Sequence, residues 1–106
     1  MKTPDIIAQY LDAANRFDIA NAVECFTADA RVHDEAHDHV GQDAIRAWIA
    51  ETSKKYQPKV DVVQVKGGGS KVVLSVRVSG RFPGSPIELE YDITLHEGKI
   101  STLNIQ

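Results

Sequence analysis

Lys71-Val72-Val73-Leu74-Ser75-Val76-Arg77-Val78-Ser79 and Ile87-Glu88-Leu89-Glu90-Tyr91-Asp92-Ile93-Thr94-Leu95 decide the fold. In the first run Val72, Leu74, Val76 and Val78 alternate with Val73, Ser75, Arg77 and Ser79. In the second Ile87, Leu89, Tyr91, Ile93 and Leu95 alternate with Glu88, Glu90, Asp92 and Thr94. A period of two is that of a strand with one face buried. Pro83-Gly84-Ser85-Pro86 between the runs supplies turn chemistry. Working outward, Lys59–Lys66 is one more strand, Gly67-Gly68-Gly69-Ser70 its hairpin turn, Glu97-Gly98 a tight turn, and Lys99–Gln106 the last strand. Four strands joined by short turns make an antiparallel meander.

Ahead of Pro58 the period changes. Thr3-Pro4-Asp5 reads as a helix start, with Thr3 as cap, Pro4 in the first turn and Asp5 at the positive end of the dipole. Ile6, Ile7, Tyr10, Leu11 and Ala14 then share a helical face. Asp18 caps a shorter helix that buries Ile19, Ala22, Val23 and Phe26, and Thr27-Ala28-Asp29 reads as a turn. Ala30 to Glu35 alternates as a strand, with Ala30, Val32 and Asp34 on one face and Arg31, His33 and Glu35 on the other. After the polar segment Ala36–Val40, Gly41-Gln42-Asp43 opens a third helix whose stripe is Ile45, Trp48, Ile49, Thr52 and Tyr56. Three helices in the first half and a strongly curved antiparallel sheet wrapped around them give an α+β, cone-shaped fold. Residues 1–106 read as a single domain, with no repeat and no linker. A concave apolar interior of this kind is where small ligands bind.

The composition is globular: 42% apolar and 25% charged residues over 106 positions. A net charge of −3 with scattered lysines and arginines argues against nucleic acid and against an anionic membrane surface as partners. No stretch approaches the ~20 apolar residues of a membrane span. The single cysteine, Cys25, suits a reducing compartment, and without a signal-peptide pattern a cytoplasmic protein is expected.

Asp34 is the foremost chemical candidate. It shares the inward face of its strand with Ala30 and Val32, and a desolvated carboxylate is suited to general-base work near neutral pH. The structural alternative is a strand-end carboxylate that bonds a neighbouring turn. Tyr10 and Tyr91 lie on inward faces too, where a phenol either donates to a developing oxyanion or bonds a backbone carbonyl in the core. Phe26, Val32, His39, Trp48, Val76, Val78 and Phe82 are expected to line the pocket. The run His33-Asp34-Glu35-Ala36-His37-Asp38-His39 invites a metal reading. Strand alternation separates His33 and Glu35 from Asp34, however, and no second ligand cluster exists. No metal and no cofactor are expected, and the histidines read as a polar mouth with His39 reaching in. Cys25 has no activating neighbour and reads as an inert thiol.

Several local strings carry a resemblance. They are Ile7-Ala8-Gln9-Tyr10-Leu11-Asp12-Ala13-Ala14-Asn15, Phe26-Thr27-Ala28-Asp29-Ala30-Arg31-Val32-His33-Asp34, Gly41-Gln42-Asp43-Ala44-Ile45-Arg46-Ala47-Trp48 and Glu97-Gly98-Lys99-Ile100. In this order the chain resembles the nuclear transport factor 2-like superfamily, and within it the small bacterial SnoaL-like (polyketide cyclase-like) and ketosteroid isomerase-like proteins. The resemblance implies a deep pocket and a homodimer packed through the outer face of the sheet. It also implies a tyrosine, matched by Tyr10, and a strand aspartate, matched by Asp34, as the reacting pair (ketosteroid isomerase is a worked example of such pKa tuning). Where those isomerases carry a second, protonated aspartate, this sequence has Tyr91. The fold hosts enzymes and binding modules alike, so it does not fix the function.

Three readings follow. The first is a cofactor-independent isomerase, cyclase or related lyase acting on a small apolar carbonyl compound, with Asp34 as base and Tyr10, joined by Tyr91, as oxyanion donor. The second is a non-catalytic binding domain, which applies if Trp48, Phe26 and Tyr91 fill the cone. The third is a dimerisation module, with Val63, Val65 and Val73 on the outer sheet face among Ser75, Arg77 and Ser79.

Overall fold

A computed structural model describes residues 3–106. Three helices, α1 (Asp5–Asn15), α2 (Ile19–Glu24) and α3 (Gln42–Tyr56), pack on one face of a six-stranded sheet. The strands are β1 (Phe26–Asp34), β2 (His37–Val40), β3 (Lys59–Gly68), β4 (Lys71–Ser79), β5 (Ile87–His96) and β6 (Lys99–Ile105). Their order is β2-β1-β6-β5-β4-β3, an open sheet with the expected meander from β3 to β6. All pairings are antiparallel except β1 with β6, which run parallel. This is the expected α+β architecture.

The core lies between the helices and the sheet. Ile7, Phe26, Val32, Ile45, Leu74, Val76, Ile93, Ile100 and Leu103 are fully buried there. On β4 the alternation holds through its whole length, with Val72, Leu74, Val76 and Val78 buried. Three irregularities interrupt the pairing, between Phe26 and Arg31, Val62 and Gln64, and Thr94 and Leu95. Bulges bend the strands that carry them and increase their twist, so the sheet curls around the helices.

Four local expectations differ from the structure. Thr27-Ala28-Asp29 is not a turn: β1 begins at Phe26, because Phe26 pairs with Ile100 of the distant last strand. The segment after Asp34 is not a loose polar run. Glu35 and Ala36 both take left-handed conformations (φ 52° and 64°) and fold the chain back into β2. Helix α1 starts at Asp5, and Pro4 stands at its cap position, with no side chain capping it. Val65, expected on the outer face, points inward opposite Leu74. The bulge before Gln64 adds one residue to β3 and reverses the parity from there on. Asp18 does cap α2, accepting from the Asn21 amide at 3.3 Å.

Candidate active site

The narrow end of the cone is packed with side chains and its wide end is open. Near the narrow end Tyr10 of α1 meets Phe26 edge to face, with ring centroids 5.1 Å apart at 82°. Toward the open end a cavity of about 220 Å³ remains. Tyr10, Ala14 and Asn15 of α1, Trp48, Ile49, Thr52 and Tyr56 of α3, and Val60, Val78, Tyr91 and Ile105 of the sheet bound it. Its walls are predominantly apolar, so the few polar groups that reach it stand out.

Asp34 is one of those groups. The hairpin at Glu35-Ala36 ends β1 at the cavity edge, and strand alternation turns the Asp34 carboxyl to the helix side, in line with buried Ala30 and Val32. Helix α3 crosses opposite. The Trp48 indole Nε1–H donates to Asp34 Oδ2 at 3.1 Å. Behind the indole the His39 ring is stacked, with centroids 5.9 Å apart and planes at 30°. The carboxylate is thus held by one oxygen, while among the described residues the other has no hydrogen-bond donor.

Tyr10 and Tyr91 bring two phenols to the same cavity. Both rings are buried, 4% and 6% exposed, yet among the described residues neither hydroxyl has a hydrogen-bond partner. No fully enclosed side-chain oxygen or nitrogen among the described residues is left unpaired, so these hydroxyls open on to the cavity they line. Burial pushes the Tyr10 phenol well above its usual pKa, and neighbouring Tyr91, Asp34 and Cys25 add to the shift. Burial likewise raises Tyr91, helped by the Asp34 carboxylate. Both phenols therefore stay protonated at neutral pH.

The expected pocket walls divide into two groups. Trp48, Val78 and Phe82 line the cavity. Phe26, Val32 and Val76 do not: each is wholly buried in the core, packed among its neighbours between the helices and the sheet. His39 backs Trp48 instead of lining the wall. His33 faces the other way and pairs with Asp38 on the outer face, Nδ1 to Oδ1 at 2.7 Å. Among the described residues no group of three or more His, Cys, Asp or Glu side chains is arranged to hold a metal ion. Cys25 is buried and its Sγ–H meets the Asn21 carbonyl at 3.5 Å, and burial raises the thiol pKa, which keeps it unreactive.

Two roles were not legible beforehand. Trp48 reads in the sequence as a core or wall residue, and nothing in a spacing of fourteen positions signals its bond to Asp34. Asn15 reads as the end of α1. Its side chain bonds both the Val60 carbonyl (2.9 Å) and the Val60 amide (2.8 Å), which ties α1 to the edge of β3 beside the cavity. An asparagine at a helix end was the available signal.

A curved open sheet closed by three helices around a one-sided apolar cavity, with the Asp34 carboxylate and the Tyr10 and Tyr91 phenols facing it, defines a cone-shaped pocket protein. The chain belongs to the SnoaL-like domain family, whose model matches residues 7–101. It is similar to the structure of a candidate polyketide cyclase from Sinorhizobium meliloti, at 38% identity and a TM-score of 0.94, covering 98% of this chain and 95% of that one. A protein from Catenulispora acidiphila with a ketosteroid isomerase-like fold, solved with trimethylamine, shares the fold at 19% identity and a TM-score of 0.86, covering 99% and 86% of the two chains. So does SalBIII, described as an epoxide hydrolase/cyclase-like enzyme of pyran ring formation in the polyether salinomycin, at 22% identity and a TM-score of 0.83, with coverage of 95% and 86%. No curated protein sequence matches the chain. Among the described residues no helix is long and apolar enough to cross a membrane.

Proposed function

We propose that this protein is a cofactor-independent acid–base enzyme of the isomerase or cyclase type, acting on a small apolar carbonyl compound. One observation carries the reading. The Asp34 carboxylate, fixed by Trp48 at 3.1 Å, faces the same apolar cavity as the unpartnered hydroxyls of Tyr10 and Tyr91. The free oxygen of Asp34 takes a proton from the carbon next to the carbonyl. The electron pair moves to the carbonyl oxygen, and Tyr10, joined by Tyr91, donates hydrogen bonds to the enolate that forms. Asp34 then returns the proton to the same or another carbon, which completes an exchange or an isomerisation, or the enolate carbon attacks a second carbonyl to close a ring and Asp34 gives its proton to the alkoxide that forms. Donors that stay neutral fit this role, because a phenolate beside an enolate would oppose it.

The SnoaL-like family and the polyketide cyclase-like neighbour favour cyclase or isomerase chemistry over other uses of the fold. The unfilled cavity also supports it, since Tyr91 and Trp48 bound the space without occupying it. The test is hydrogen–deuterium exchange at the α-carbon of a small cyclic ketone, followed by NMR. Wild type should accelerate exchange and Asp34→Asn should not. Equal rates for the two proteins, with the ketone still bound, would leave a binding domain as the better reading.

A second copy of this chain is the proposed partner for the outer sheet face. There Lys71, Arg77 and, on β3, Lys66 stand among Glu88, Glu90 and Asp92 of β5. Such alternating charges support a modest homodimer, whose mass by light scattering would be twice the 11.7 kDa of one chain.

A further inference from the structure

The cavity has a limit at each end, and both limits are built from aromatic rings. At the floor, the Tyr10 ring lines the cavity and packs edge to face on Phe26, which is wholly buried behind it. At the mouth, Tyr56, the last residue of α3, meets Phe82 of the β4–β5 connection edge to face, with centroids 5.9 Å apart at 90°. Both line the cavity.

This rim is fastened in place. The Arg81 amide donates to the Tyr56 carbonyl at 2.6 Å, and the Gly80 amide donates to Ser85 Oγ at 2.9 Å. Gly80 permits the approach: a Cβ there would lie 2.6 Å from the Tyr56 carbonyl oxygen and 3.2 Å from Pro58 Cα. Backbone atoms cannot yield as a flexible side chain does, so only glycine lets the connection press this closely on the end of α3. The connection that carries Phe82 is therefore a fixed wall.

The space between floor and rim is about 220 Å³. An apolar cavity of roughly 150 Å³ takes up one benzene ring, and drug-sized ligands occupy roughly 300 Å³ or more. We infer that this site takes single-ring carbonyl compounds, with space for a few substituent atoms, and that the Tyr56–Phe82 pair, held by Gly80, sets that limit. The inference rests on the acid–base reading for the word carbonyl, and on the cavity alone for the size.

The experiment separates the two. Phenols mimic the enol and can be graded by size without turnover: 4-methylphenol, 2-naphthol and estradiol have one, two and four rings. Binding is read by the fluorescence of Trp48, the single tryptophan, which lines the site. Non-specific hydrophobic binding would favour the larger probes. The size limit instead predicts that wild type binds 4-methylphenol at least about tenfold more tightly than estradiol, in the range that poor fit in an apolar pocket costs. Phe82→Ala should narrow or reverse that order. Gly80→Ala, which displaces the rim without removing either ring, should shift it the same way, with folding of both variants checked by circular dichroism. The inference is overturned if estradiol binds wild type as tightly as 4-methylphenol, if 4-methylphenol does not bind, or if folded variants at both positions keep the wild-type order. Asp34→Asn carried through the same titration should keep the size order. An Asp34→Asn protein that still exchanges α-protons would remove the acid–base reading and leave the size limit standing.

Discussion

Two carboxylates near the β1–β2 hairpin each bond a ring nitrogen, and they lie on opposite sides of one strand pair. On the outer face Asp38 meets His33 Nδ1 at 2.7 Å, with both side chains about half exposed. On the inner face Asp34 accepts from the Trp48 indole at 3.1 Å, at the edge of an apolar cavity. The outer bond is the shorter, and the Asp38 carboxyl is held below its usual pKa mainly by that bond. Water competes for every group of the outer pair, so its net worth is small. On the inner face an apolar cavity wall flanks the half-buried carboxylate, and one fixed donor orients it and leaves its other oxygen turned to whatever the cavity holds. The difference teaches that the distance of a hydrogen bond says little about its use, and that the side of the strand on which it falls says much.

The largest effect should come from breaking the inner pair at its reactive member. Asp34→Asn is expected to lower α-proton exchange by about 10²- to 10⁴-fold, the usual range for a general base. The matched outer change, Asp38→Asn, should leave the rate as it is. Equal losses in the two variants would sink the contrast.

Next come the donors. Tyr10→Phe removes a hydrogen bond to the enolate at almost no cost in volume. About a hundredfold loss in kcat with little change in KM is the expected outcome, which steady-state kinetics would read. Tyr91→Phe should act in the same direction.

Trp48→Phe sharpens the comparison further, because it keeps the wall and deletes only the donor to Asp34. Trp48 is a positioning residue in this reading. A fall in kcat of about tenfold is expected, from losing a hydrogen bond to a charged group, together with a displaced pH–rate profile. A purely structural role would lower the unfolding midpoint and leave the pH profile in place.

A smaller effect concerns stability at alkaline pH. Tyr10 and Tyr91 have pKa values raised in the folded protein, so the unfolded chain loses these protons first as the pH rises. Their contribution is intact below pH ~10, where a free phenol titrates, and is lost progressively above it. Urea midpoints should fall above that pH, and the fall should be shallower in Tyr91→Phe. His33→Ala, which breaks the outer pair, is expected to be the smallest change of all. It should move neither the urea midpoint at neutral pH nor the exchange rate.

Much of this fold was legible because burial imposes a period. The strict alternation from Val72 to Val78 and from Ile87 to Leu95 could be satisfied only by strands with one covered face, and both formed as expected. The β1–β2 hairpin was not legible, because a two-residue turn with both residues left-handed usually announces itself with asparagine and glycine. Here the turn is Glu35-Ala36, which carries no such signal, and tertiary pairing of Asp34 with His37 enforces it. Val65 failed for a related reason, since a bulge is a property of the pairing and leaves no mark in one strand's sequence.

The sequence by itself determined the α+β class and the inward direction of Tyr10, Asp34 and Tyr91, because these follow from the periodicity of the elements, and its local strings carried the SnoaL-like resemblance. Only the tertiary structure decided what those side chains meet. Trp48 reaches Asp34 from a helix, Phe26 packs behind Tyr10, and Gly80 lets Phe82 close on Tyr56. These contacts join residues on different elements, and their distances are set by how the sheet curves and how closely backbones approach. Neither quantity is encoded at any single position.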